Sequence, residues 1–131
     1  MDFLRRLLAL VFAFCALLAL SDCGRRGSPS GGPKDETPPV LVKADPPNRT
    51  TGFKAKKIRL YFDEYIRLED VLNQLIVSPP LKNQPEITPM GGARKYVEII
   101  LKDTLLENTT YTLNFGQSVV DNNEGNPNNF L

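Results

Sequence analysis

The chain has 131 residues, a formal net charge of +1, eleven prolines, nine glycines and no histidine. That length is room for one domain, and the near-neutral balance excludes a global pull toward nucleic acid or an anionic membrane. Without histidine the commonest general base and the commonest metal ligand are both missing, and the turn-forming residues suit a β protein better than a helical one. Both cysteines, Cys15 and Cys23, lie within the first 23 residues. The chain beyond Cys23 carries no disulfide and no thiol nucleophile, and stands on a core that about 95 residues are able to build.

In chain order, Arg5-Arg6 precede an unbroken apolar run from Leu7 to Leu20. Its fourteen residues are short for a bilayer span but fit the hydrophobic region of a secretory signal. The run ends at Leu20-Ser21-Asp22-Cys23, which resembles a bacterial lipobox, with Asp22 departing from the small neutral residue usual before the cysteine. The resemblance implies cleavage before Cys23, lipidation of its thiol, and a mature N-terminus held at a membrane. Three acyl chains bury far more than the ~0.8 kcal/mol per methylene that leaves a single chain marginal. Residues 1–22 are thus expected to be a lipoprotein signal peptide, and 23–37 a flexible Gly/Ser/Pro linker. No acidic run comes after Cys23, so the expected location is the outer membrane, lipid-anchored, with the periplasmic side favoured over the cell surface.

Residues 38–131 are expected to fold. Val40–Lys43 reads as an edge strand between Pro38-Pro39 and Pro46-Pro47, since proline cannot donate to a ladder. Lys57–Asp63 alternates, with Ile58, Leu60 and Phe62 pointing inward and Arg59, Tyr61 and Asp63 outward. Tyr65–Asn73 is spaced for either a loop or one helical turn. Leu75–Ser78 is a short strand stopped by Pro79-Pro80, and Glu86–Thr88 an edge strand caught between Pro85 and Pro89. Gly91-Gly92 turns the chain into Lys95–Lys102, where Val97, Ile99 and Leu101 go in and Tyr96, Glu98 and Ile100 go out. In Thr109–Gly116, Thr109, Tyr111, Leu113 and Phe115 share one face against Thr110, Thr112 and Asn114. Six short, turn-bounded strands predict an antiparallel sandwich. The position of Tyr111 at the start of a late strand predicts that its hydroxyl meets backbone a few residues upstream. Asp121–Pro127 reads as a turn, and Phe130-Leu131 as the first residues of an incomplete final strand that pairs with Thr109–Gly116.

The frame Leu105…Asn108-Thr109-Thr110-Tyr111-Thr112-Leu113, then Val119-Val120-Asp121…Gly125-Asn126-Pro127, resembles the closing signature of bacterial Ig-like domains of the S-layer (SbsA) type. Pro38-Pro39-Val40 with Asp45-Pro46-Pro47-Asn48 resembles the family's opening, and Ile58-Arg59-Leu60-Tyr61-Phe62-Asp63-Glu64 its apolar strand followed by Phe-x-Glu. The resemblance runs from about Thr37 onward. It implies an all-β, Ig-like antiparallel β-sandwich, usually non-catalytic, of the kind found in secreted and surface proteins.

Candidate chemistry is sparse. Asp63 and Glu64 are adjacent, so on a strand they face opposite sides and do not make a carboxylate pair for one glycosidic bond. Asp121-x-Asn123-x-Gly125 resembles part of a calcium loop, but its glycine stands fifth where an EF-hand has it sixth, and a turn is the better reading. Lys54, Lys56, Lys57 and Arg59 form a basic cluster near Phe53 and Tyr61, either a solvated strand flank or a contact for phosphate groups. Asp103-Thr104-Leu105 resembles a three-residue O-glycosylation motif of Gram-negative periplasmic proteins and marks Thr104 as a candidate. Asn48-Arg49-Thr50 and Asn108-Thr109-Thr110 match the N-glycosylation pattern.

The expected function is a membrane-anchored cell-envelope lipoprotein whose Ig-like domain is a non-catalytic structural or interaction module. The alternative is an envelope carbohydrate-binding module, with Tyr61, Tyr65 and Tyr96 stacking on sugar if their rings share one sheet face. No catalytic residue, cofactor or metal is expected. The expected partners are the membrane, through the N-terminal lipid, and an envelope protein or glycan, not nucleic acid.

Overall fold

A computed structural model of the chain describes residues 1–19, 31–129 and 131. Cys23 and Phe130 lie outside the described residues. The chain divides into two compact units, Met1–Gly32 and Pro33–Leu131. The first contains helix α1, Asp2–Ala19, formed by the apolar run predicted as a signal. Among the described residues no helix is long and apolar enough to cross a membrane.

The second unit is built from strands β1 (Leu41–Asp45), β2 (Lys57–Leu68), β3 (Ile76–Ser78), β4 (Glu86–Thr88), β5 (Arg94–Ile100), β6 (Thr112–Asn114) and β7 (Val119–Asp121), with a one-turn helix α2 (Val71–Gln74) after β2. Every pairing is antiparallel. The larger sheet runs β1-β2-β5-β4 with β7 also on β2, and β3 pairs β6 in a second sheet. β1, β3 and β4 each stop at the residue before a proline, at Asp45, Ser78 and Thr88, where the ladder loses its next donor.

β2 organises the sheet. The strand predicted to end at Asp63 runs on to Leu68, twelve residues in all, with Phe62 and Ile66 both turned into the core, at 3% and 0% exposure. Ile66 stands opposite Arg94 on one side and Asp121 on the other. β7 therefore continues from β1 along the same edge of β2. Asp70, at φ 50°, then turns the chain into α2. The ambiguous segment 65–73 is thus a strand end leading into a helical turn.

The core joins Phe62 and Ile66 of β2, Val97 and Ile99 of β5 and Ile87 of β4 to Phe115, Val119 and Val71. Each buried side chain of this size contributes about 1.5–3 kcal/mol. Of the inward sets expected for 57–63 and 95–102, Phe62, Val97, Ile99 and Leu101 are buried, and Ile58 and Leu60 are partly buried against the core.

Two further features differ from expectation. The strand predicted over Thr109–Gly116 pairs only through Thr112–Asn114, although its alternation is right: Phe115 is buried while Thr112 and Asn114 are exposed. β7 is a strand that the sequence reading does not contain. All three of its residues are buried, so it lacks the period-two signal that marks a half-buried strand. Past the 121–127 turn, Asn128 N–H donates to the Val119 carbonyl and Phe115 N–H to that of Leu131. Leu131 thereby meets the segment its sequence position predicts.

The corner predicted at Tyr111 is present. Leu106 N–H donates to the Tyr111 hydroxyl at 3.2 Å, spanning a turn that Asn108 makes at φ 52°. Tyr111→Phe is expected to cost about 1 kcal/mol in a urea melt. A change within error would mean that only the ring matters.

Candidate binding face

The outward side of the larger sheet carries the sequence's candidate rings. Lys43, Tyr61 and Tyr96 stand in one cross-strand row, since Tyr61 is opposite Lys43 on β1 and Tyr96 on β5. The two rings are 5.9 Å apart between centroids and tilted by 46°, a spacing at which aromatic pairs attract. Tyr65 lies four residues further along β2 and is 57% exposed. Cations lie over every one of these rings. Lys43 Nζ is 5.7 Å from the Tyr61 centroid, Arg59 and Arg94 are 5.7 and 5.6 Å from that of Tyr96, and Lys95 is 5.5 Å from that of Tyr65. All are within the ~6 Å reach of a cation–π contact. Arg94 Nη1 also donates to the Tyr96 hydroxyl at 2.7 Å, and Lys95 Nζ to the Asp63 carbonyl at 3.0 Å.

The basic cluster read from the sequence divides here. Lys57 and Arg59 both hold Glu98, at 3.4 and 2.7 Å, and the Arg59 guanidinium keeps the Glu98 carboxyl below its ordinary range. Lys54 and Lys56 are exposed residues before β2. Sequence reasoning missed Lys43, Arg94 and Lys95. Arg94 and Lys95 adjoin Tyr96 in the chain, which was a usable signal; Lys43 is joined to Tyr61 only by register.

The opposite side of β2 leads to carboxylates. Asp121 is 1% exposed, and its Oδ1 accepts the N–H groups of Glu124 and Gly125 at 2.6 and 2.9 Å while Oδ2 accepts that of Asn126 at 3.0 Å. The carboxylate considered as a calcium ligand is therefore the internal cap of its own turn, with Gly125 at φ 80° supplying the left-handed step that glycine adopts freely. Burial pushes the Asp121 carboxyl up, but the three donors together outweigh it and hold it below the usual range. Glu64 shifts the other way, raised by burial and then by Asp121, Asp63, Asp35 and Glu124.

A folded-state carboxyl raised in this way favours folding when protonated and opposes it once ionised, so its stabilising share disappears as pH rises. Glu64→Gln should therefore stabilise at pH 7, and the gain should vanish below about pH 4. Equal gains in melts at pH 7 and pH 3 would assign the effect to packing instead.

Asp63 is exposed and Glu64 partly buried. Asp63 Oδ1 accepts Val40 N–H at 2.8 Å, which fixes β1 beside its bulge. Thr104 is exposed in the loop between β5 and β6, beside Asp103, whose carboxylate accepts two hydrogen bonds from Asn83. Asn126 Nδ2 donates to the Asp35 and Thr37 carbonyls, so the end of the segment read as linker touches the last turn. A cavity of about 280 Å³ beside Gly91-Gly92 is lined by Arg67, Glu69 and Asn122, but Arg67 and Glu69 already pair at 2.9 Å. Among the described residues no group of three or more acidic or cysteine side chains is placed to hold a metal ion.

A family model described as "Bacterial Ig-like domain" matches residues 35–130. No curated protein and no solved structure matches the chain. The matched segment covers nearly all of the second compact unit, and its antiparallel two-sheet architecture agrees with an Ig-like β-sandwich. This chain belongs to the bacterial Ig-like domain family.

Proposed function

We propose that the protein is a membrane-tethered lipoprotein of the cell envelope, anchored through Cys23, whose Ig-like domain is a non-catalytic interaction module. The observation that carries this reading is the order of parts. An apolar run behind Arg5-Arg6 ends in Leu20-Ser21-Asp22-Cys23, and an Ig-like domain comes after a short Gly/Ser/Pro segment. In this reading the outer membrane is the anchoring site and the periplasm the favoured side. Exposed Thr104 is offered for O-glycosylation. The partner is an envelope protein or glycan. Metabolic labelling with a fatty-acid analogue is expected to mark the wild type and not Cys23→Ser; equal labelling of the two would end the lipoprotein reading.

A second reading, an envelope carbohydrate-binding module, is favoured by one specific observation. Tyr61 and Tyr96 stand in contact on one sheet face, with Tyr65 further along the same strand. Rings gathered on one face form a surface against which sugar rings stack; scattered rings would not.

A further inference from the structure

We propose that this face binds an acidic polysaccharide, a uronate polymer, with the tyrosine rings taking sugar C–H surfaces and Lys43, Arg94 and Lys95 taking carboxylates. The inference rests on the carbohydrate-binding reading and adds the charge class of the ligand.

Charge is not spread evenly along the face. At the Lys57 end of β2, carboxylates accompany the cations. Glu98 lies between Lys57 and Arg59, Asp45 stands opposite Arg59, and Glu86 opposite Ile100 in the outermost pairing. From the Tyr61 row onward the balance changes. The exposed carboxylate there is that of Asp63, which accepts the Val40 amide, while the partly buried Glu64 next to it sits in the field of Asp121, Asp63, Asp35 and Glu124. Lys43, Arg94 and Lys95 are exposed, and among the described residues none of the three forms an ion pair. Tyrosines and uncompensated cations thus occupy the same half of the sheet, which is complementary to an anion.

The shape selects a chain over a small molecule. Tyr61 and Tyr65 both lie on β2, on either side of the point where its register with β5 shifts, and the surface there is an open sheet face. An open face with rings at two positions along a strand receives successive units of a polymer rather than enclosing a small molecule. Each cation hovers within 6 Å of a ring centroid, so a carboxylate bound to the cation brings its pyranose against the neighbouring ring. The long stems of Lys43 and Lys95 leave their heads free to move from ring to ligand. An acidic peptide would satisfy the charges but offers no flat C–H surface to the rings.

The test uses the full chain in non-ionic detergent and three probes: polygalacturonate, its fully methyl-esterified form, and poly-L-glutamate. By calorimetry, polygalacturonate is expected to bind, and esterification to weaken it about tenfold or more. Tyr61→Ala with Tyr96→Ala should weaken it by a similar factor, and Lys43→Gln with Lys95→Gln, exposed changes that leave the core untouched, likewise. Poly-L-glutamate should bind more weakly and ignore the tyrosine changes. Equal binding of the esterified polymer would overturn the acidic assignment while leaving the carbohydrate reading intact. Binding of neither polysaccharide would overturn both. Poly-L-glutamate binding as tightly as polygalacturonate, with both indifferent to the tyrosines, would reduce the face to a cation patch and overturn the proposal.

Discussion

Asp121→Ala is expected to lower the unfolding free energy by about 3–4 kcal/mol, from hydrogen bonds to a charged acceptor at roughly 1.5–3 kcal/mol each, partly recovered by water. The side chain is 1% exposed and accepts three successive backbone N–H groups. Removing it leaves those donors without their acceptor and frees the turn that returns the chain from β7 to the Val120–Pro127 bridge. Asp121→Asn should cost less, because one amide oxygen remains to accept while the amide nitrogen faces a donor. The pH dependence has a definite sign. The Asp121 carboxyl is held below its ordinary range, so the stability it contributes is complete at neutral pH and is lost as pH falls through that lowered value. Urea melts from pH 7 downward should show a steep acid limb in the wild type that is shallower in Asp121→Ala. A loss under 1 kcal/mol at pH 7 would mean that the turn is held by its own backbone.

Phe115→Ala is expected to cost about 3–5 kcal/mol, the range for a buried aromatic truncated in a core that relaxes only partly. Phe115 is 1% exposed and joins the segment just after β6 to Phe62, Ile66 and Val119. Its backbone is also tied on both sides, N–H to the Leu131 carbonyl and carbonyl to the Ser118 amide and hydroxyl. The loss is therefore a cavity at the junction of the two sheets. Phe115→Leu should recover most of it. With a domain total of ~5–15 kcal/mol, Phe115→Ala should be unfolded or close to it at 37 °C. A midpoint near that of the wild type would show that the sheets pack elsewhere.

A period of two is legible in a sequence only where one face of a strand is buried and the other is not. β5 meets that condition, with Val97 and Ile99 buried between half-buried neighbours, while in the first half of β2 both faces are half-covered and only Phe62 is fully buried. The second half of β2 is hidden because two consecutive carboxylates, Asp63-Glu64, interrupt the apolar alternation, whereas Asp63 is bonded to the Val40 amide and Glu64 is partly buried. β7 escapes because both of its faces are covered. Prolines mark where β1, β3 and β4 end, since a missing N–H is a local property. The candidate binding face is only half legible. Its tyrosines are evident, but whether they gather depends on the Tyr61–Tyr96 and Lys43–Tyr61 registers, which local sequence does not encode. The calcium resemblance at Asp121 fails for a related reason, as the same residues that look like ligands also cap a turn.

The central claim is a domain of the bacterial Ig-like family tethered by lipid at Cys23. Intact mass of the protein extracted from membranes of cells expressing the full chain tests it most directly. The account predicts a chain beginning at Cys23 and carrying acyl groups, shifted to an unacylated mass in Cys23→Ser. A wild-type mass equal to the unmodified polypeptide from any starting residue would contradict it.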